Sequence, residues 1–368
     1  MTSLQRLYGE QGQSPSLDNL IRGYLRDGSL ARFVRDGVRG VTANPTIFAK
    51  AIEGSDAYDE QFAALIAGGK SIIDAYWDLV IDDVRGALAL LRPTFDASDG
   101  LDGYVSIEVA PELAGDTEGT VTAARLLHAR IDAPNVFVKI PATAEGIAAV
   151  QAMTAQGCSI NITLIFSLSR YRQVIDAYMA GLDEYARTGG DIRGVHSVAS
   201  FFVSRVDSEI DRRLESIGTP EALALRGFAA VAQAKLAYQL CRDRLADQRW
   251  IELAALGANL QRPLWASTST KNPAYPDTLY VDSLIGPDTV NTLPEATINT
   301  FEDHGTVART IDKDVDDAAA VLDRLADVGV DMDDVGRTLE IQGVASFHDS
   351  FTHVLDTLTA KARQLAGQ

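Results

Sequence analysis

Cysteine is almost absent: Cys158 and Cys241 stand alone and far apart. They supply no paired spacing for a disulfide framework, a redox motif or a zinc site, and a reducing cytosol suits such a chain. Long apolar runs are missing too. The opening MTSLQRLYGEQGQSPSLD lacks the apolar centre of a signal peptide, and no later stretch approaches the ~20 residues of a membrane span. Basic residues are in deficit, 33 Lys and Arg against 51 Asp and Glu, for a formal charge of -18. Such a surface repels DNA, RNA and anionic lipid, so no nucleic-acid partner and no membrane partner is expected. Low-complexity tracts and Pro/Gly/Ser-rich linkers are also lacking. The expectation is one domain over residues 1–368, cytoplasmic, acting as a monomer or a homodimer. His348 and His353 are not at the spacing of a two-histidine zinc helix, and no phosphate-loop or dinucleotide glycine signature occurs. No metal and no cofactor is called for.

What the sequence does contain is a recurring unit, a short apolar β-type run followed by an amphipathic stretch, the pattern of strand–helix units around a parallel sheet. The predicted strands are one near Ser16–Leu17, then Gly40–Thr42, Tyr104–Val109, Val136–Ile140, Ser159–Ile165, Val195–Phe202, Pro263–Ala266 and Leu279–Val281. About eight strands alternating with helices predict an α/β fold, a single (β/α)8 barrel. After Ser169, apolar residues from Tyr171 to Tyr185 fall at three- and four-residue steps until Gly189-Gly190. Ala144–Gln156 forms another such helix. The long connections Ile47–Asp102 and Val206–Gln261 read as extra helices. A helical tail from about Asp312 carries Val344, Phe347, Phe351, Val354, Leu355 and Leu358 as a stripe that should dock on the barrel.

Polar residues cluster at the C-terminal ends of these strands, where such a barrel places its active site. They are Asp18, Asn44, Glu108, Lys139, Asn161, Thr163 and Ser200. Lys139 sits in Val136-Phe137-Val138-Lys139-Ile140-Pro141, and an unpaired ammonium group in an apolar strand is costly. Burial of an amine favours its neutral form, the one that attacks a ketone. The plainer reading is a lysine that snorkels to solvent or pairs with Glu108. Asp18 could simply cap a helix over Asn19–Leu25, and Asn44 before Pro45 could be turn chemistry. Asn161 and Thr163 share one face of a strand, and a polar face inside a parallel sheet needs a partner or a ligand.

Three segments resemble the transaldolase family. Val41-Thr42-Ala43-Asn44-Pro45-Thr46-Ile47-Phe48 is similar to its Thr-x-Asn-Pro signature. Asn135-Val136-Phe137-Val138-Lys139-Ile140-Pro141-Ala142-Thr143 resembles its Schiff-base lysine strand, and Ser159–Ser167 resembles the strand that follows. The likeness runs from about Asp18 to Asn272. It implies that Lys139 forms an imine with a ketose phosphate and that Asp18 is the acid/base for the C4 hydroxyl. Glu108, through a water held by Thr163, would shuttle protons in imine formation and hydrolysis. Asn44, Asn161 and Ser200 would hold the hydroxyls of a dihydroxyacetone unit, and Phe202 would line the site. For the substrate phosphate the resemblance points to Arg205 and to the loop Ala266–Asn272, with Ser267 and Lys271. That loop departs from the better-known pattern, which has a second arginine close behind the serine where this chain offers Lys271.

The resemblance leaves a close alternative, a fructose 6-phosphate aldolase of the same superfamily that works with free dihydroxyacetone. Those aldolases are shorter and carry glutamine, alanine and tyrosine where this chain has Glu108, Ser200 and Phe202. Phenylalanine cannot donate the tyrosine's hydrogen bond. A non-catalytic sugar-phosphate-binding barrel is a second alternative. A pyridoxal phosphate enzyme, which also uses a Schiff-base lysine, would absorb visible light, and that absorbance is not expected.

Overall fold

The computed structural model describes residues 1–366. Eight parallel strands close in sequence order into a barrel. They are β1 Gln13–Leu17, β2 Gly40–Thr42, β3 Tyr104–Glu108, β4 Val136–Pro141, β5 Ile160–Ile165, β6 Ser197–Phe202, β7 Arg262–Ala266 and β8 Thr289–Leu293. Closure leaves no free sheet edge, and the helices bury the outer face. The expected fold class is therefore correct. Seven predicted strands match the observed ones to within three residues at each end. The eighth does not.

Leu279–Val281 is part of a helical turn, Leu279–Asp282, and β8 lies further on in Thr-Val-Asn-Thr-Leu. Three apolar residues are too few to separate a strand from a buried helical turn. The true strand is mostly polar because Thr42 and Thr268 take up its Thr292 and Asn291 side chains. The helix proposed over Asn19–Leu25 is shorter, Arg22–Arg26, and its first cap is Ile21 without a side-chain bond. Asp18 is not a cap.

Both long connections are helical. Residues 45–97 form the helix Pro45–Glu53, a short helix Asp59–Ala67 and the long helix Ile72–Ala97. Pro45 at the first helical position and Asn44 as the cap start the first of these, with Asn44 Oδ1 accepting from the Ile47 amide at 3.0 Å. The long helix buries Leu79, Val80, Val84, Leu88 and Leu91 on one face. Each such side chain contributes roughly 1.5–3 kcal/mol when fully buried. The second connection holds the helix Ser204–Ile217 and three more.

The C-terminal helix Met332–Ala366 lies across the barrel mouth. Phe347, Phe351, Val354 and Leu358 of the predicted stripe are buried, and the ring of Phe351 meets Tyr76 edge-on at 5.3 Å. Thr46 and Ser350 join this helix to Pro45–Glu53 through hydroxyls 2.7 Å apart. It also comes close to β5, where a Cβ on Gly343 would stand 3.0 Å from the Leu164 side chain. Leu164 has φ +59° at a register shift between Ile162 and Ile165, a strained backbone that the close packing holds in place.

The opposite end of the barrel is plugged by charge. Asp102 is 3% exposed, and it faces Arg39 at 2.6 Å, Arg262 at 3.0 Å and the Ser14 hydroxyl at 3.0 Å.

Candidate active site

The strand pairing brings three of the expected residues into one row. Glu108 pairs with Lys139 across β3 and β4, and Lys139 pairs with Asn161 across β4 and β5. Residues paired in this way point to the same face of a sheet. Lys139 is 5% exposed and Glu108 6%. Lys139 Nζ stands 3.6 Å from Glu108 Oε2, an ion-pair distance too long for a hydrogen bond. Asn161 receives the Ser200 hydroxyl at 2.7 Å on Oδ1 and donates from Nδ2 to Ser106 at 3.0 Å.

Two buried polar atoms in or beside this row, Glu108 Oε2 and Thr163 Oγ1, have no hydrogen-bond partner among the described residues. Orphans of this kind are rare in a folded interior and mark places where a ligand or water is expected.

A cavity of about 300 Å³ opens at the C-terminal ends of the strands. Asp18, Asn44, Lys139, Ser200, Phe202, Arg205, Ser267 and Lys271 line it. Glu108, Asn161 and Thr163 are not on its wall; Glu108 borders a smaller neighbouring cavity that also touches Asn44, and Asn161 holds the Ser200 hydroxyl. Sequence reading missed several lining residues: Thr46 and Lys50 from the helix after Asn44, Thr292 at the end of β8, and Ser346 and Phe347 from the C-terminal helix; Ser269, which also lines it, lies in the expected loop Ala266–Asn272. Lys50 lies two residues beyond the recognised segment and could have been found from it. Ser346 and Phe347 could not, since nothing local says that a helix about 200 residues beyond Lys139 folds over the mouth.

The site's electrostatics follow from burial. The carboxyl of Asp18 keeps one face to the cavity and accepts from the Thr42 hydroxyl at 2.8 Å. Burial pushes its pKa above the ordinary carboxylate value, opposed by Lys139, the Thr42 bond, Arg205 and Lys271. Burial likewise raises Glu108 to about 7 against the pull of Lys139. Two carboxyls with raised values at one amine are suited to moving protons near neutral pH.

Arg205 begins the helix Ser204–Ile217, with its guanidinium carbon 5.0 Å from the ring centre of Phe202. Its pKa is lowered by burial. Ser267 follows β7 in a left-handed conformation, φ +57°, and its hydroxyl lies 2.9 Å from that of Ser204. Lys271 is lowered by burial and by Arg205. The cavity thus has an acidic, amine-bearing floor and a cationic wall at a helix N-terminus, which favours an anionic group.

Comparison with known proteins agrees with this geometry. The model of the family described as Transaldolase/Fructose-6-phosphate aldolase matches residues 16–358. A protein of Parafrankia sp. (strain EAN1pec) named transaldolase is 54% identical over 344 residues, covering 93% of each chain. One from Thermobifida fusca (strain YX), also named transaldolase, is 50% identical over 365 residues, 99% of this chain and 98% of the relative. Another, from Mycolicibacterium paratuberculosis, is 50% identical over 348 residues, 94% and 93% of the two chains. A closed eight-stranded barrel with a buried lysine at its mouth, matched to one family over nearly its whole length, belongs to that family: the chain is a member of the transaldolase/fructose-6-phosphate aldolase family.

Proposed function

We propose that the chain is a cytoplasmic transaldolase, working as one barrel domain over residues 1–368. It moves a dihydroxyacetone unit reversibly from sedoheptulose 7-phosphate to glyceraldehyde 3-phosphate, giving erythrose 4-phosphate and fructose 6-phosphate. The observation that carries this reading is the placement of Lys139, open to the cavity and set beside Glu108, with Asp18 on the same wall.

Glu108 takes a proton from Lys139, and the freed amine adds to the ketose C2 carbonyl. The proton returns, through a water held by Thr163, to the carbinolamine hydroxyl, which leaves as water to give the iminium. The orphaned Glu108 Oε2 and Thr163 Oγ1 support this route. Asp18 then removes the C4 hydroxyl proton. The C3–C4 bond breaks, its electron pair enters the iminium to form the enamine, and the aldose departs. The acceptor aldehyde takes the same path in reverse, Asp18 returning its proton to the new hydroxyl, and hydrolysis frees Lys139.

Asn44, Asn161 and Ser200 hold the hydroxyls of the bound unit. Asn44 spends Oδ1 on its helix cap and keeps Nδ2 for the substrate, while Asn161 keeps its second Nδ2 hydrogen. Arg205, Ser267 and Lys271 receive the phosphate at the N-terminus of Ser204–Ile217, where an anion is favoured.

The aldolase alternative is disfavoured by Phe202, which has no hydroxyl and lies against Arg205, and by Glu108. A two-substrate transfer assay separates the two. Transfer far above simple fructose 6-phosphate cleavage is expected, and comparable rates would overturn the reading.

A further inference from the structure

We infer that Lys50 is a third cation of the phosphate-binding end of this site and contacts the phosphate of the sugar substrates directly, an inference that rests on the sugar-phosphate reading above. Lys50 lines the catalytic cavity and also an adjoining cavity of about 360 Å³; the two share Asp18, Ile47 and Lys50. It therefore stands where the catalytic cavity continues outward. Thr46, one helical turn earlier, lines the same wall.

In a chain with 51 carboxylates and 33 Lys and Arg residues, a lysine can readily find a carboxylate. Lys70, Lys139 and Lys361 do. Among the described residues Lys50, Lys235, Lys271 and Lys313 do not; Lys235 donates to the Lys313 carbonyl instead, and Lys50 and Lys271 border this cavity. Three cations, Arg205, Lys50 and Lys271, thus line a cavity that offers one carboxylate, Asp18. Lys271 registers the crowding, its ammonium form being disfavoured by burial and by Arg205, favoured by Asp18 and, most weakly, disfavoured by Lys50. A phosphate dianion among Arg205, Lys271 and Lys50 relieves that repulsion.

The helix carrying Lys50 is fixed at both ends of the contact, by Thr46 on Ser350 at 2.7 Å and by Thr357 donating to Glu53 at 3.0 Å. Its stem therefore starts from a set position. The plainer role for Lys50 is to complement the helix dipole in the last turn of Pro45–Glu53. That role does not require it to face the cavity.

The test compares acceptors with and without phosphate, glyceraldehyde 3-phosphate and glyceraldehyde, at one saturating donor concentration. For Lys50→Met the ratio of the two kcat/KM values should fall about tenfold, the size of one lost charge-assisted bond, and Lys50→Arg should restore it to within about threefold. An unchanged ratio in Lys50→Met, with only a lower Tm, would assign Lys50 to the helix end and overturn the inference. Failure of the transaldolase reading itself looks different: wild-type protein would neither transfer nor be trapped by borohydride with fructose 6-phosphate.

Discussion

The Thr42 hydroxyl donates to Asp18 Oδ1 at 2.8 Å while lying 2.6 Å from the Thr292 hydroxyl, so β2 and β8 together orient a carboxylate that belongs to the end of β1. That orientation leaves Asp18 facing the cavity, free of any helix-capping duty. Replacing Asp18 by Asn keeps the shape and removes the base. Transfer should fall by about 10²–10⁴-fold, the usual contribution of general acid–base catalysis. Imine formation, which needs Lys139 and Glu108, should persist. Borohydride with fructose 6-phosphate should still label Asp18→Asn, and loss of labelling would remove Asp18 from the cleavage step.

Glu108 gives a pH signature. With its value raised to about 7, the wild-type pH–rate profile should show an ionisation there that Glu108→Gln lacks. The sign for stability also follows. A carboxyl raised from 4.5 binds more protons in the folded than in the unfolded state between pH 4.5 and about 7, so its contribution to stability falls as pH rises through that window. The Tm difference between Glu108→Gln and wild type should therefore move in the variant's favour from pH 5 to 7 and flatten above. A difference moving the other way would contradict the burial argument.

Asp102 predicts a purely structural effect. It neutralises the buried Arg262 and the half-buried Arg39 at the closed end of the barrel, far from the site. Asp102→Ala leaves those charges unpaired and should cost about 3–5 kcal/mol of unfolding free energy in denaturant titrations. Because its folded pKa is lowered, the native contribution is present above the unfolded value and lost as pH falls through the folded one.

Gly343 tests the C-terminal helix as a wall of the site. Gly343→Val crowds Leu164, and overpacking of this kind costs about 1–3 kcal/mol. Because Ser346 and Phe347 lie one turn further along the same helix and line the cavity, KM for sugar phosphates should rise as well. A stability loss with unchanged KM would show that the wall does not depend on this contact.

The sequence made the barrel legible because six strands carry apolar or β-branched runs, and it made the amine legible because Lys139 interrupts one of them. Asn161 and Thr163 stood out by sharing a face in an otherwise apolar strand. What was hidden depended on distance. Thr289–Leu293 reads as polar until Thr42 and Thr268 are beside it. Ser346 and Phe347 look like ordinary residues of an amphipathic helix until that helix crosses the mouth. Asp18 looked like a cap because an aspartate ahead of a helical segment often is one. Only the Thr42 contact from a strand 24 residues away shows otherwise.

The most direct test is mass spectrometry after sodium borohydride treatment with fructose 6-phosphate. A reduced adduct confined to the peptide carrying Lys139, and absent from Lys139→Ala, is the predicted result. An unlabelled wild-type protein, or label on a different lysine, would contradict the assignment of Lys139 as the imine-forming amine.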